Sequence, residues 1–239
     1  MSSLAVTMDR LSPTRRPLGR AIGHHCWSDL LFVHWRVPAE LLRPLVPRRL
    51  TIDTFDGDAW VGLVPFAMSS VRPWWSPPVP GLSAFLETNV RTYVHLDGRD
   101  PGVWFFSLDA SNSLAVRIAR RRWHLNYFRS DMTLLRSDER VEYTSRRRWP
   151  EPSGADSRII AEIGRETHGA RPVSSDSLEH FLVERYLLFA GSSDGRLLRA
   201  QVHHRPYPLR RARVVEIEES LLAATGIHPD GEPAHVLFS

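Results

Sequence analysis

Between Phe85 and His95, five kinds of hydrogen-bonding side chain recur at every second position. Successive side chains of an extended strand point to opposite faces. One face therefore presents Phe85, Glu87, Asn89, Arg91, Tyr93 and His95, and the other Leu86, Thr88, Val90, Thr92 and Val94. The second is the face of a strand packed on a core. The first reads in two ways. A single amphipathic strand commonly turns such a face to water. Alternatively, aromatic rings interleaved with a carboxylate, an amide, a guanidinium and an imidazole line a polar barrel interior or pocket that grips a ligand. In a pocket, desolvation would raise the pKa of Glu87 toward that of a working general acid or base. Arg91 would clamp a carboxylate through paired hydrogen bonds or stabilise an enolate-like charge. The plainer alternative is an internal Glu87–Arg91 ion pair that only satisfies buried charges.

Other chemistries are narrowed by what the chain contains. All 31 Lys/Arg side chains are arginine, so no lysine amine exists to act as nucleophile. Arginine cannot substitute, because its guanidinium stays protonated. The pairs His24-His25 and His203-His204 would point their members to opposite faces of an extended chain, and no Cys/His cluster accompanies them. No metal site is expected. Cys26 is the single cysteine, which excludes an internal disulfide. The segment Gly191 to Gly195 reads as a hairpin turn, not a phosphate loop. Arginine runs at 120–122, 146–148 and 210–211 are scattered over a net charge of only +4, the pattern of solvated faces more than of a nucleic-acid footprint.

These groups need a scaffold, and 239 residues with 42% hydrophobic content can bury one large core. Residues 1–23 are polar, aperiodic and punctuated by proline and arginine, so a mobile tail is expected ahead of a single domain spanning 24–239. Strands are expected at Leu50–Asp53, Ala59–Met68, Ala84–Leu96, Gly102–Leu108, Arg140–Trp149, Arg158–Glu166 and across Leu197–Glu219. The unbroken apolar run of Ala59–Met68 implies a strand covered on both faces. Asp97-Gly98 supplies a tight turn. Short helices are expected after Pro38, over Leu114–Arg122 and over Ser177–Arg185, where Ser177 is placed to cap. Arg72 to Leu82, with four prolines and two tryptophans, is an irregular loop, either a lid or a cover over the core. The count favours a mainly β, α+β protein: an antiparallel sheet or barrel with short peripheral helices.

The run Phe85-Leu86-Glu87-Thr88-Asn89-Val90-Arg91-Thr92-Tyr93-Val94 resembles the hallmark of the YqjF-like proteins of unknown function, within the acetoacetate decarboxylase-like superfamily. The likeness continues in order through His34-Trp35-Arg36-Val37-Pro38, Phe55-Asp56-Gly57-Asp58-Ala59-Trp60, Pro65-Phe66-Ala67-Met68 and Gly102-Val103-Trp104-Phe105-Phe106-Ser107-Leu108. Leu125-Asn126-Tyr127, Phe181-Leu182-Val183-Glu184-Arg185-Tyr186 and His204-Arg205-Pro206-Tyr207-Pro208-Leu209 complete it. The resemblance implies a closed, mostly antiparallel β cone with a polar central pocket faced by Glu87 and Arg91. The decarboxylases use a lysine Schiff base. The stretch nearest to that lysine here, Leu125 to Arg129, contains none, so decarboxylation through an imine is excluded.

The expectation is a small-molecule protein acting on or binding a carbonyl or carboxylate compound without an organic cofactor or metal. As an enzyme it would be of lyase, hydratase or cyclase type, with Glu87, Arg91 and Tyr127 in catalysis. Phe85, Asn89, Tyr93, Arg185 and His204 would line the ligand site. The alternatives are a non-catalytic binding or accessory module and, third, arginine-mediated nucleic-acid binding. Nucleic acid and membrane are not the expected partners, and a homo-oligomer stays open. No apolar run approaches a membrane span and no secretory leader is visible, so the cytoplasm is the expected compartment.

Overall fold

The computed structural model describes residues 8–123, 125–166, 173–191 and 196–239. Nine strands form a ring in the order β6 (Arg99–Ala110), β7 (Tyr127–Arg136), β8 (Arg140–Trp149), β9 (Asp156–Glu166), β12 (Arg210–Glu219), β13 (His235–Phe238), β2 (Leu31–Val37), β4 (Ala59–Pro73) and β5 (Phe85–Leu96). Pairing of β5 with β6 closes it. Around the ring only β6–β7 is parallel, and it is held over just three residue pairs, Leu108–Ala110 against Tyr127–Arg129. Beyond that short ladder the two strands part. Outside the ring, β1 (Gly23–Ser28) pairs with β4, β3 (Thr51–Ile52) with β5, and β10 (Leu187–Gly191) with both β6 and β11 (Leu197–Gln201). This is the closed, mostly antiparallel cone expected. The turn between β10 and β11 lies largely outside the described residues. Among the described residues no helix is long and apolar enough to cross a membrane.

Registers separate the two faces of the ring. Val33, Leu63, Val90, Val141, Ile159 and Phe238 share one buried cluster to which every ring strand contributes. That face is the inside. On the opposite face, β7 and β8 expose Asp131, Thr133, Leu135, Arg146 and Arg148. Over β2, β4, β5 and β6, however, the outer face is buried under a second layer. This layer consists of α3 (Leu178–Val183) and the chain around Tyr207–Leu209. Hence all of Ala59–Phe66 is buried, Val61 and Leu63 inward and Trp60, Val64 and Phe66 outward. The apolar run anticipated this two-sided burial.

Local chemistry sets the connections. Asp97 and Gly98 both take positive φ, at 50° and 73°, between the paired residues Leu96 and Arg99. Two such residues match the twist of a two-residue hairpin. Ser177 caps α3 by accepting from the His180 N–H. The other helices are α1 (Ala39–Leu42) and α2 (Ser113–Trp123). The first two residues of the proline-rich segment, Arg72 and Pro73, belong to β4, and its Trp75 is 70% exposed, so it does not cover the core. Within the expected tail, Arg10 lies on the domain, bonded to Asp53, and Gln201 donates to the Pro13 carbonyl.

Gly102 permits the close approach of β6 to β10. A Cβ there would lie 2.5 Å from the Leu187 carbonyl oxygen and 2.8 Å from the Phe189 ring. Gly102→Ala is expected to cost about 1–3 kcal/mol in a urea melt, as overpacking does. Wild-type stability in that variant would mean the two strands are free to separate.

Candidate functional site

The odd-numbered face of β5 does not point into the ring. Glu87, Asn89, Arg91 and Tyr93 project from the outer face into the interface with the second layer, and they are 4%, 5%, 8% and 0% exposed. This corrects the central-pocket expectation: the ring interior at this height takes Val90 and Val94 from the same strand. Phe85 and His95, at the strand ends, are half-buried. No Glu87–Arg91 ion pair forms among the described residues, because each group has another partner.

Arg91 Nη2 donates to the Leu182 carbonyl at 2.9 Å, tying β5 to α3. Tyr93 Oη lies 2.8 Å from the same carbonyl and 2.7 Å from His34 Nε2. A phenol has one proton to give. If it goes to the carbonyl, His34 must donate through Nε2–H, which leaves only a lone pair at Nδ1 without a partner. Burial, then the charges of Arg91 and His235, hold the His34 pKa well below its ordinary value, so the ring is neutral. Gly62 makes room for this chain, since a Cβ there would lie 3.0 Å from the His34 ring and 3.5 Å from Arg91 Cγ.

Two same-face positions down the strand, Tyr127 Oη donates to Glu87 Oε2 at 2.8 Å. Burial pushes the Glu87 carboxyl up to about 7; the Tyr127 bond opposes this and the nearby Asp109 charge adds to it. Tyr127 itself is driven well above the ordinary phenol range by burial and by the facing carboxylate. The strand–helix–strand path positions the pair: Arg120 of α2 donates to the Tyr127 carbonyl at 2.7 Å as β7 begins.

The cover over Glu87 and Arg91 is aromatic. Trp27 packs on Phe66, the register neighbour of Glu87, and on His204, with ring centroids 6.2 and 5.6 Å apart. His204 stacks on Tyr186 at 4.3 Å and adjoins Tyr207, which packs on Phe32, and the Arg91 guanidinium lies 5.5 Å from the Phe32 ring. Within this circuit Trp27 Nε1, Asn89 Oδ1, Arg91 Nε and His204 Nε2 are buried without a hydrogen-bond partner among the described residues. Buried polar atoms normally have one. Two donors, an acceptor and an imidazole nitrogen are thus left unsatisfied between β5 and its cover.

Arg185 stands apart. It bonds Asp53 at 2.9 Å and the Phe181 carbonyl at 2.6 Å, and Arg10 approaches the same Asp53 with two bonds of 2.5 and 2.7 Å. Burial lowers the Arg185 pKa to about 10, and Asp53 opposes that fall. The cluster clasps α3 from the side of β3. Among the described residues no group of three or more His, Cys, Asp or Glu could hold a metal ion.

A family model described as an uncharacterized conserved protein, DUF2071, matches residues 24–239. The chain belongs to the DUF2071 family. YqjF of Bacillus subtilis (strain 168), an uncharacterized protein, is 37% identical to this DUF2071 member over 228 residues, covering 91% of the chain and 87% of YqjF. Among solved structures, the DUF2071 fold is similar to acetoacetate decarboxylase from Legionella pneumophila. The TM-score is 0.59 at 12% identity, covering 100% of this chain and 93% of the other. An acetoacetate decarboxylase-like enzyme from Sphingomonas wittichii RW1 gives 0.62 at 14% identity, over 90% and 87% of the two chains. The enduracididine biosynthesis enzyme MppR complexed with pyruvate gives 0.62 at 11%, over 92% and 87%. At these identities the structures show the fold alone.

Sequence reasoning passed over His34, Asp53 and Trp27 as parts of a site. His34 stands in the otherwise apolar run 31–35, where a lone imidazole is a usable signal. Asp53 looked like the end of a strand, and nothing local pairs it with Arg10 and Arg185.

Proposed function

We propose that this protein binds a small carbonyl or carboxylate compound between the outer face of β5 and the aromatic cover, and moves a proton on it. The step would be of lyase, hydratase or cyclase type. Glu87 carries the reading: a buried carboxyl with a pKa near 7, held by Tyr127, is poised to take or give a proton at physiological pH. The carboxylate takes a proton from the carbon next to the carbonyl; the C–H bonding pair forms the carbon–carbon double bond and the carbonyl π pair moves onto the oxygen. Arg91 Nε is the donor for that developing charge, while the Tyr127 hydroxyl gives its one proton to Glu87 and holds the carboxylate in place. No lysine takes part, so the reaction proceeds without an imine. The pyruvate bound to MppR, a fold relative, supports a small oxo acid as the substrate class.

The test is proton exchange. Pyruvate and acetoacetate incubated with the protein in D2O are followed by proton NMR. Exchange of the protons next to the carbonyl faster than in buffer is expected. Saturable stabilisation of the fold by these acids with no exchange would favour a non-catalytic binding module instead.

A further inference from the structure

A second cluster of buried polar groups lies inside the ring, on the face of β5 opposite Glu87. Thr88 pairs in register with Asp109, Asp109 with Phe128, Ser130 with Arg147, and Ser145 with Ser157, carrying the cluster across five neighbouring strands. Asp109 is 0% and Arg147 1% exposed. The Arg147 Nε and Nη2 atoms both bond the Asp109 carboxylate, at 2.9 to 3.1 Å, and the guanidinium lies 3.6 Å from the Phe128 ring centroid. Among the described residues its remaining nitrogen, Nη1, makes no hydrogen bond. Among the described residues the Oγ atoms of Ser107, Ser130 and Ser145, each at most 3% exposed, have no partner either.

A way in exists where β6 and β7 separate beyond their three-pair ladder. A cleft of about 310 Å³ opens there, walled by Trp104, Phe105, Phe106 and Phe128, reaching Arg147, and edged by Ala224 and Thr225. A bulge shapes its wall: Val90 opposes Ser107 and Arg91 opposes Phe105, so Phe106 is the extra residue and turns inward beside Ser107.

We infer that this cleft between β6 and β7 is a second small-molecule site, separate from Glu87, and that it takes a neutral aromatic carbonyl compound. The volume is at the lower end of the roughly 300–1,000 Å³ of small-molecule sites, enough for one ring with a short substituent. The aromatic walls take the ring. The carbonyl oxygen accepts from Arg147 Nη1, at the end of the cleft. Asp109 already neutralises Arg147, so a carboxylate would enter a buried site with no charge left to answer it, which disfavours the anion.

Acetophenone and benzoate serve as probes, titrated against the full chain with binding read from protein NMR shifts. Acetophenone should give saturable shifts, with benzoate at least tenfold weaker. Ala224→Trp, which fills the mouth from an exposed position in the short 3₁₀ helix Ala223–Thr225, should abolish acetophenone binding, and Glu87→Gln should leave it unchanged. Because Ala224 is exposed, this variant keeps the test open even if changes at Arg147 prevent folding. No saturable acetophenone binding, benzoate binding as tightly, or loss in Glu87→Gln but not in Ala224→Trp would each overturn the inference. The outcome is independent of the exchange assay at Glu87.

Discussion

Glu87→Gln is expected to reduce proton exchange about 10²- to 10⁴-fold, the range a positioned acid or base contributes, and to make the protein more stable at neutral and alkaline pH. The second effect follows from the raised pKa. The folded state keeps a proton on Glu87 up to about pH 7, whereas an unfolded glutamate releases it near 4.5. Between those values the folded state binds more protons than the unfolded one, so stability falls as pH rises and levels off above 7. The full cost is about 3 kcal/mol. Glutamine carries no such titration, and its amide oxygen can still accept from Tyr127. Melting curves of both proteins should therefore coincide near pH 4.5, diverge through pH 5–7, and stay several degrees apart above that, with the variant higher. Exchange by the wild type should rise through the same window as the carboxylate forms. A constant gap at every pH would mean that Glu87 titrates like a solvated carboxylate, and undiminished exchange in the variant would remove it from the chemistry.

The strand carrying Glu87 was legible because it alternates, and alternation survives any tertiary arrangement. Which way the alternating face points was not. Both faces of β5 are buried, Val90 and Val94 against the ring interior and Tyr93 against α3, so periodicity alone could not say which side was the inside. The bulge at Phe106 hid a second fact. It places two consecutive side chains on one face, and a pattern read with period two assigns one of them wrongly. The polar cluster inside the ring was beyond reach for another reason. Arg147 sits within Arg146-Arg147-Arg148, a triplet that reads as a solvated run, yet its neighbours are exposed while it is 1% exposed. In a strand, the middle member of such a triplet must face the other way, and that is the signal that could have found it. Its partner Asp109 is 38 residues away, which no local pattern reports.

That pair is fully buried inside the ring, and its energetics can be separated by a double-mutant cycle. Arg147→Met alone should destabilise the fold by about 3–5 kcal/mol, because it leaves Asp109 buried beside no cation. The Asp109 pKa is already above its ordinary value, with burial outweighing the Arg147 bonds that oppose it. Without the arginine, protonation becomes the carboxyl's only inexpensive state. The damage in Arg147→Met should accordingly shrink as pH falls toward 4.5. Asp109→Val should be similarly harmful at neutral pH, since it leaves the guanidinium alone. The double variant Asp109→Val, Arg147→Met removes both charges together and should recover most of the loss, because a buried ion pair replaced by apolar groups is often neutral or stabilising. Urea melts of the four proteins at pH 7 and pH 4.5 measure the coupling. Additive losses would show that water reaches the pair and shares its charges, and a guanidinium bathed in that way could not hold a neutral carbonyl in preference to an anion.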